Sequence, residues 1–150
     1  MTSDLLHELE EGLRQLVRFG SVLDGAGLQA GITASMSESL TLRRLLQAPA
    51  SQNELGEHLG LEKSTVSRLV DTLHRKGWVT RSADPSNGRV RIIALSENGL
   101  EVATQIDQAI HRAHLRMVEQ LSEDERIAVA VALPALVRAM SATAAMAQQA

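Results

Sequence analysis

Residues 51–95 read SQNELGEHLGLEKSTVSRLVDTLHRKGWVTRSADPSNGRVRIIAL, and the fold turns on this stretch. Ser51 and Glu54 form an S-x-x-E capping box, which starts a helix by satisfying two orphaned backbone N–H groups reciprocally. The helix is short: Leu55 and Leu59 point inward, and Gly60 ends it as a C-cap glycine does. After a turn at Leu61, a second helix is predicted from about Glu62 to Lys76, closed by Gly77. Its Val66, Leu69, Val70 and Leu73 fall at i, i+3, i+4 and i+7, a narrow buried stripe. Lys63, Ser64, Thr65, Ser67, Arg68, Asp71, Thr72 and Arg75 take the opposite face. Trp78–Arg81 predicts a short strand, and Asp84-Pro85-Ser86-Asn87-Gly88 is turn chemistry throughout. Val90–Leu95 is the returning strand, in which Arg89 and Arg91 alternate with Val90 and Ile92. Two strands are too few for an independent sheet, so the hairpin is expected to lean on the helices. The reading is a helix-turn-helix followed by a β-hairpin wing.

Helices extend outward on both sides. Residues 4–23 carry Leu5, Leu6, Leu9, Leu13, Leu16, Val17, Val22 and Leu23 mostly on one stripe, with acidic residues in the first turns where the helix dipole favours them. Gly20, Gly25, Gly27 and Gly31 weaken helicity, so this helix is expected to end or bend between Asp24 and Gly31. Ser35–Gln47 fits a second helix, with Met36, Leu40, Leu42, Leu45 and Leu46 as its apolar positions and Pro49 as its stop. Ser96 caps a long helix to about Leu121, with Leu100, Ala103, Ile106, Ile110, Ala113, Met117 and Leu121 mostly three or four apart. Ser122 and Glu125 form another capping box and open a last helix to about Ala147. Its VAVALPALV run, residues 129–137, is apolar nearly all round. Pro134 removes a donor and is expected to kink it, at roughly 3 kcal/mol if unrelieved.

The chain has 150 residues, enough for one domain with a real core. Phe19 and Trp78 are its only aromatic residues, so the core must be aliphatic. Without cysteine, disulfides, thiolate metal sites and thiol redox sensing are excluded. Asp4, Glu8, Glu10 and Glu11 occupy the N-terminus where a signal peptide would be apolar. Nothing in the sequence reads as a membrane span, and the expectation is a soluble cytoplasmic protein with no membrane partner. No Ser/His/Asp set, phosphate loop or paired carboxylates stand out, so neither an enzyme nor a cofactor is expected. His111 and His114 lie three apart on one helix and are the candidates for a metal; solvated or partner-facing histidines are the competing reading.

The net charge of −3 argues against a nucleic-acid partner until it is placed along the chain. Residues 1–30 balance at −3, residues 31–59 at −1 and residues 96–150 at −3. Residues 60–95 carry Lys63, Arg68, Arg75, Lys76, Arg81, Arg89 and Arg91 against three acids, a balance of +4. Phosphate binding follows the local potential rather than the sum. The flanking helices are more apolar than a small winged module covers by itself, and a homodimer of C2 symmetry is the simplest remedy.

The pattern ELGEHLGLEKSTVSRLVDTLHRKGWV followed by DPSNGRVRIIALSENG is similar to the MarR family of bacterial transcriptional regulators. The resemblance implies a mainly α fold with a small β-hairpin wing: a single domain over 1–150, a winged helix-turn-helix over 33–95, and dimerisation helices over 1–31 and 96–150. It implies a homodimer on double-stranded DNA, most often a repressor, answering to a small-molecule effector held between the dimerisation helices and the winged part. The family wing usually reads D-P-x-D-R-R. Here Asn87 and Gly88 replace the acid–base pair that would brace the loop, and the resemblance makes Arg89 the wing arginine of a minor groove. A solvated hairpin charge is the plainer alternative.

In a helix-turn-helix the second helix enters the major groove by its N-terminal residues, here Lys63, Ser64, Thr65, Ser67 and Arg68. Arg68 is the candidate for a bidentate guanine contact; the alternatives are a phosphate contact or a pair with Asp71 or Thr72. Ser64 and Thr65 bind phosphate or simply begin the helix. Arg75, Lys76, Arg81 and Arg91 are phosphate candidates or solvated charges. The competing function, favoured by the atypical wing, is a winged-helix ligand- or metal-sensing or interaction protein with weak or lost DNA binding.

Overall fold

The computed structural model describes residues 2–24 and 31–147. Two compact units result, residues 1–113 and residues 114–150. In the first, α1 (Thr2–Asp24) precedes α2 (Met36–Gln47), β1 (Ala50–Ser51), α3 (Gln52–Leu59), α4 (Lys63–Arg75), β2 (Val79–Ala83) and β3 (Arg91–Leu95). The helix α5 (Glu97–Glu119) begins there, and its C-terminal end and α6 (Glu123–Ala147) belong to the second unit. The expected bend between Asp24 and Gly31 falls largely on residues 25–30, which lie outside the described residues.

The helix boundaries follow the caps. Ser51 Oγ accepts the Glu54 amide while Glu54 accepts the Ser51 amide, and the same reciprocal pair joins Ser122 to Glu125. Ser35 and Glu38 form a third capping box at the start of α2. Gly60 at φ 63° and Gly77 at φ 71° end α3 and α4 in the left-handed region, where a Cβ would be strained. Ser96 works at both ends of a junction: its Oγ donates to the Gly77 carbonyl at 2.6 Å and accepts the Gly99 amide at 2.9 Å.

The core of the first unit is aliphatic. Leu42 and Leu45 of α2, Leu55 of α3, Val66, Val70 and Leu73 of α4, Val79 and Ile93 of the sheet, and Ala103 and Ile106 of α5 are all buried. Leu59 and Leu69 are half-buried rather than buried. Met36 and Leu40, expected as apolar positions of α2, are exposed, whereas Glu38, Ser39 and Thr41 are buried. Trp78 is half-buried against this core at the base of the wing.

The sheet has three strands rather than two. Its order is β1-β3-β2, all antiparallel, with Ala50 opposite Ile93 and Ser51 opposite Ile92. β2 pairs with β3 from Val79 opposite Leu95 to Ala83 opposite Arg91. A two-residue strand is too short to show alternation, and its residues also read as the approach to a helix cap. It secures the hairpin to the helical layer by backbone pairing as well as by side-chain packing.

One expectation is corrected. Glu123–Met146 is long and apolar enough, by length and composition, to cross a membrane. Beyond the charged first turn it carries Arg138 as its sole ionised residue, and Ala, Val, Leu and Met surround the whole helix. Ile127, Val131, Leu133, Val137 and Met140 are exposed. On α1 the stripe of Leu5, Leu6, Leu9, Leu16 and Val17 is likewise uncovered.

Candidate nucleic-acid interface

The helix α4 places its charged face outward because Val66, Val70 and Leu73 bury the other. Lys63, Ser64, Thr65 and Arg68 are exposed and Ser67 is half-buried, so the N-terminal turns present amides, hydroxyls and two cations together. The N-cap residue Glu62 makes no side-chain hydrogen bond, and the Thr65 and Val66 amides turn in to its carbonyl at 2.9 and 3.0 Å. Arg68 Nε donates to the Ser64 carbonyl at 3.3 Å, an intrahelical bond rather than a pair with Asp71 or Thr72. Asp71 is instead held by Arg81 of β2.

The other basic residues divide. Arg75 donates to the Thr72 hydroxyl at 3.2 Å. Lys76 is committed to Glu38 at 2.7 Å and to the Thr33 carbonyl at 3.1 Å, and its ammonium lies 4.5 Å from the centre of the Trp78 ring. Lys76 is thus engaged in packing contacts within the domain. Arg89 and Arg91 are exposed at and beside the wing tip, and no described residue forms an ion pair with Lys63, Arg89 or Arg91. The structure therefore brings Arg68, Asp71, Thr72 and Arg75 of α4 together with Arg81 of β2 around one groove, which Arg89 and Arg91 do not line.

The tip has a brace of its own. Asp84 Oδ1 accepts the Ser86 amide at 2.7 Å, the Ser86 hydroxyl at 2.6 Å and the Asn87 amide at 3.3 Å. Asn87 Oδ1 accepts the Arg89 amide at 3.2 Å, and the Asn87 carbonyl accepts the Val90 amide at 2.8 Å. The hydrogen bonds from Ser86, hydroxyl first and then amide, hold the Asp84 carboxyl below the ordinary carboxylate range. Asn87 thus ties the tip through its side-chain amide oxygen rather than through a charge.

Two residues that matter here do not stand out in the sequence. Glu38 is buried and anchors Lys76; the S-x-x-E spacing from Ser35 is its available signal. Gly99 is the other: a Cβ there would come 1.7 Å from the Trp78 carbonyl oxygen. A glycine in the first turn of a helix is its only trace. Among the described residues no group of three or more His, Asp or Glu side chains converges to hold a metal, and His111 and His114 are exposed on α5.

Comparison with known proteins agrees with this geometry. Residues 30–90 match the sequence profile of the MarR family. An uncharacterised HTH-type transcriptional regulator, YxaD of Bacillus subtilis, is 29% identical over 119 residues, which cover 79% of this chain and 82% of that protein. The structure of a MarR family protein from Bacillus stearothermophilus is 26% identical and superposes with a TM-score of 0.77, over 94% of this chain and 99% of that one. Streptococcus pneumoniae FabT, solved in complex with DNA, is 20% identical with a TM-score of 0.80, over 92% of this chain and 99% of its own. Residues 30–90 are thus similar in sequence to the MarR family, and the fold is that of solved MarR family proteins.

Proposed function

We propose that this chain is a cytoplasmic, sequence-specific DNA-binding transcriptional regulator that acts as a homodimer on a pseudo-palindromic operator, in the manner of a ligand-responsive repressor. The observation that carries the reading is the exposed start of α4, with Lys63, Ser64, Thr65 and Arg68, together with the exposed wing arginines Arg89 and Arg91. These residues, with Ser67, divide the work. Arg68 reads a base edge in the major groove, Lys63, Ser64, Thr65, Ser67 and Arg91 position the helix on phosphates, and Arg89 enters the minor groove. A relative of this fold, FabT, has been captured on DNA. Residues 33–95 form the reading part, and residues 1–31 and 96–150 pair two copies.

The uncovered apolar faces of α1 and α6 support pairing. Each fully buried Leu or Val contributes about 1.5–3 kcal/mol. A bilayer would cover α6 equally well but for Arg138, which lies near the middle of the apolar stretch and costs about 2.5–3.5 kcal/mol at a bilayer centre. Two copies related by a two-fold would place their α4 helices in successive major grooves, half-sites about 34–36 Å apart.

Selection of genomic fragments by the purified protein tests this reading. Recovery of a shared palindrome supports it. Capture of fragments with no common motif, or none at all, overturns it.

A further inference from the structure

Asp71 interrupts the basic stripe of α4. It stands three residues after Arg68 and four before Arg75, the spacings at which an intrahelical ion pair forms. Neither neighbour takes it. Arg68 turns back to the Ser64 carbonyl, Arg75 to the Thr72 hydroxyl, and the Asp71 carboxylate is held by Arg81, ten residues on in β2. Arg68, Asp71, Thr72, His74, Arg75 and Arg81 line one shallow groove beside α4. The Asp71 side chain remains 53% exposed and that of Arg81 30%. An ion pair so open to water adds little to stability, so folding alone does not account for an acid at the centre of this face.

The pair has a consequence for binding, which rests on the DNA reading above. Sequence-independent affinity grows with the number of phosphates neutralised. Arg81, occupied by Asp71, is withdrawn from that number, and Asp71 sets a negative charge where a phosphate would approach. A carboxylate in the major groove is accommodated by an exocyclic amino donor such as cytosine N4 and by no phosphate. We propose that the Asp71–Arg81 pair is a selectivity determinant: it lowers the affinity of this surface for DNA of arbitrary sequence, so that base contacts rather than charge decide which duplex is held.

The test uses the full chain and two labelled duplexes, one of mixed sequence and one recovered by genomic selection, titrated by fluorescence anisotropy over a salt series. Asp71→Asn should bind the mixed-sequence duplex about fivefold to tenfold more tightly and steepen its salt dependence by the equivalent of about one further neutralised phosphate. The recovered duplex should gain less, so the ratio between the two falls. Asp71→Ser should repeat this, and Asp71→Asn with Arg81→Gln should return the salt slope to that of the wild type. If the neutral variants leave the mixed-sequence affinity and slope unchanged, or tighten both duplexes equally, the proposal is wrong. Should neither the wild-type chain nor any variant hold either duplex, the DNA reading itself fails, an outcome distinct from the first.

Discussion

The Lys76 ammonium lies 2.7 Å from Glu38 Oε1, while Glu38 Oε2 accepts the Ser35 amide at 2.7 Å. One buried carboxylate therefore ties the first turn of α2 to the end of α4, and the same ammonium covers the ring of Trp78. Lys76→Met would leave a buried charge without its counterion. The pair is intermediate between a buried and a surface bridge, so the expected loss is about 1–2 kcal/mol, read by urea denaturation. Trp78 is the sole tryptophan, and its emission should shift in the folded variant. The salt slope of DNA binding should stay unchanged; a fall of about one would place Lys76 on a phosphate instead.

Gly99 admits no side chain. Its α5 turn approaches the Trp78 carbonyl so closely that Gly99→Ala forces backbone apart, with an expected cost of about 3 kcal/mol. Gly12→Ala, where a Cβ meets nothing within 4 Å on an exposed helix, should instead be neutral or stabilising by about 0.5–1 kcal/mol. Equal melting temperatures for the two variants would contradict the packing.

The two arginines should separate in their effects. Arg68→Ala is expected to relax preference at one operator position, with a discrimination loss of about 1–3 kcal/mol there. Arg89→Ala should weaken all sequences more evenly and reduce the salt slope by roughly 1 for each phosphate that the arginine neutralises. If both bind the operator as the wild type does, the docking arrangement is mistaken.

Acid should loosen the wing tip before it unfolds the chain. The Asp84 carboxyl is held low by Ser86, so its ionised form is the one the folded tip favours. Its contribution is complete above the ordinary carboxylate value of about 3.9 and is lost as pH falls through the lowered value. The Ser86 amide resonance should follow that titration, and Asp84→Asn should abolish the dependence. A Ser86 amide indifferent to pH throughout the acid range would show that the brace does not form.

Pairing through α6 predicts that Leu133→Glu with Val137→Glu shifts the dimer towards monomer by at least about tenfold, given the apolar area each residue offers. Sedimentation velocity measures this directly. A dimer of unchanged strength would place the interface elsewhere.

The helix-turn-helix is legible in the sequence because its signals are local. The Ser51–Glu54 cap, the left-handed glycines Gly60 and Gly77, and the Val66-Val70-Leu73 stripe each act within a turn or two of chain. What escapes a sequence reading is set by distant partners. Ala50–Ser51 is a strand only because Ile92 and Ile93 return beside it. Arg81 looks like any surface cation until β2 carries it to Asp71, and Lys76 does so until α2 offers Glu38. The length of α6 is visible, but an apolar run of this kind suits a pairing surface and a bilayer's thickness alike.

Ser51 belongs at once to β1, opposite Ile92, and to the cap of α3. No slack separates the sheet from the helix, since the residue that closes the ladder also begins the next turn. A force applied to β3 is therefore delivered to α3 as through a welded joint rather than a hinge. Wing and helix-turn-helix are therefore expected to shift as one piece, since no linker stands between them.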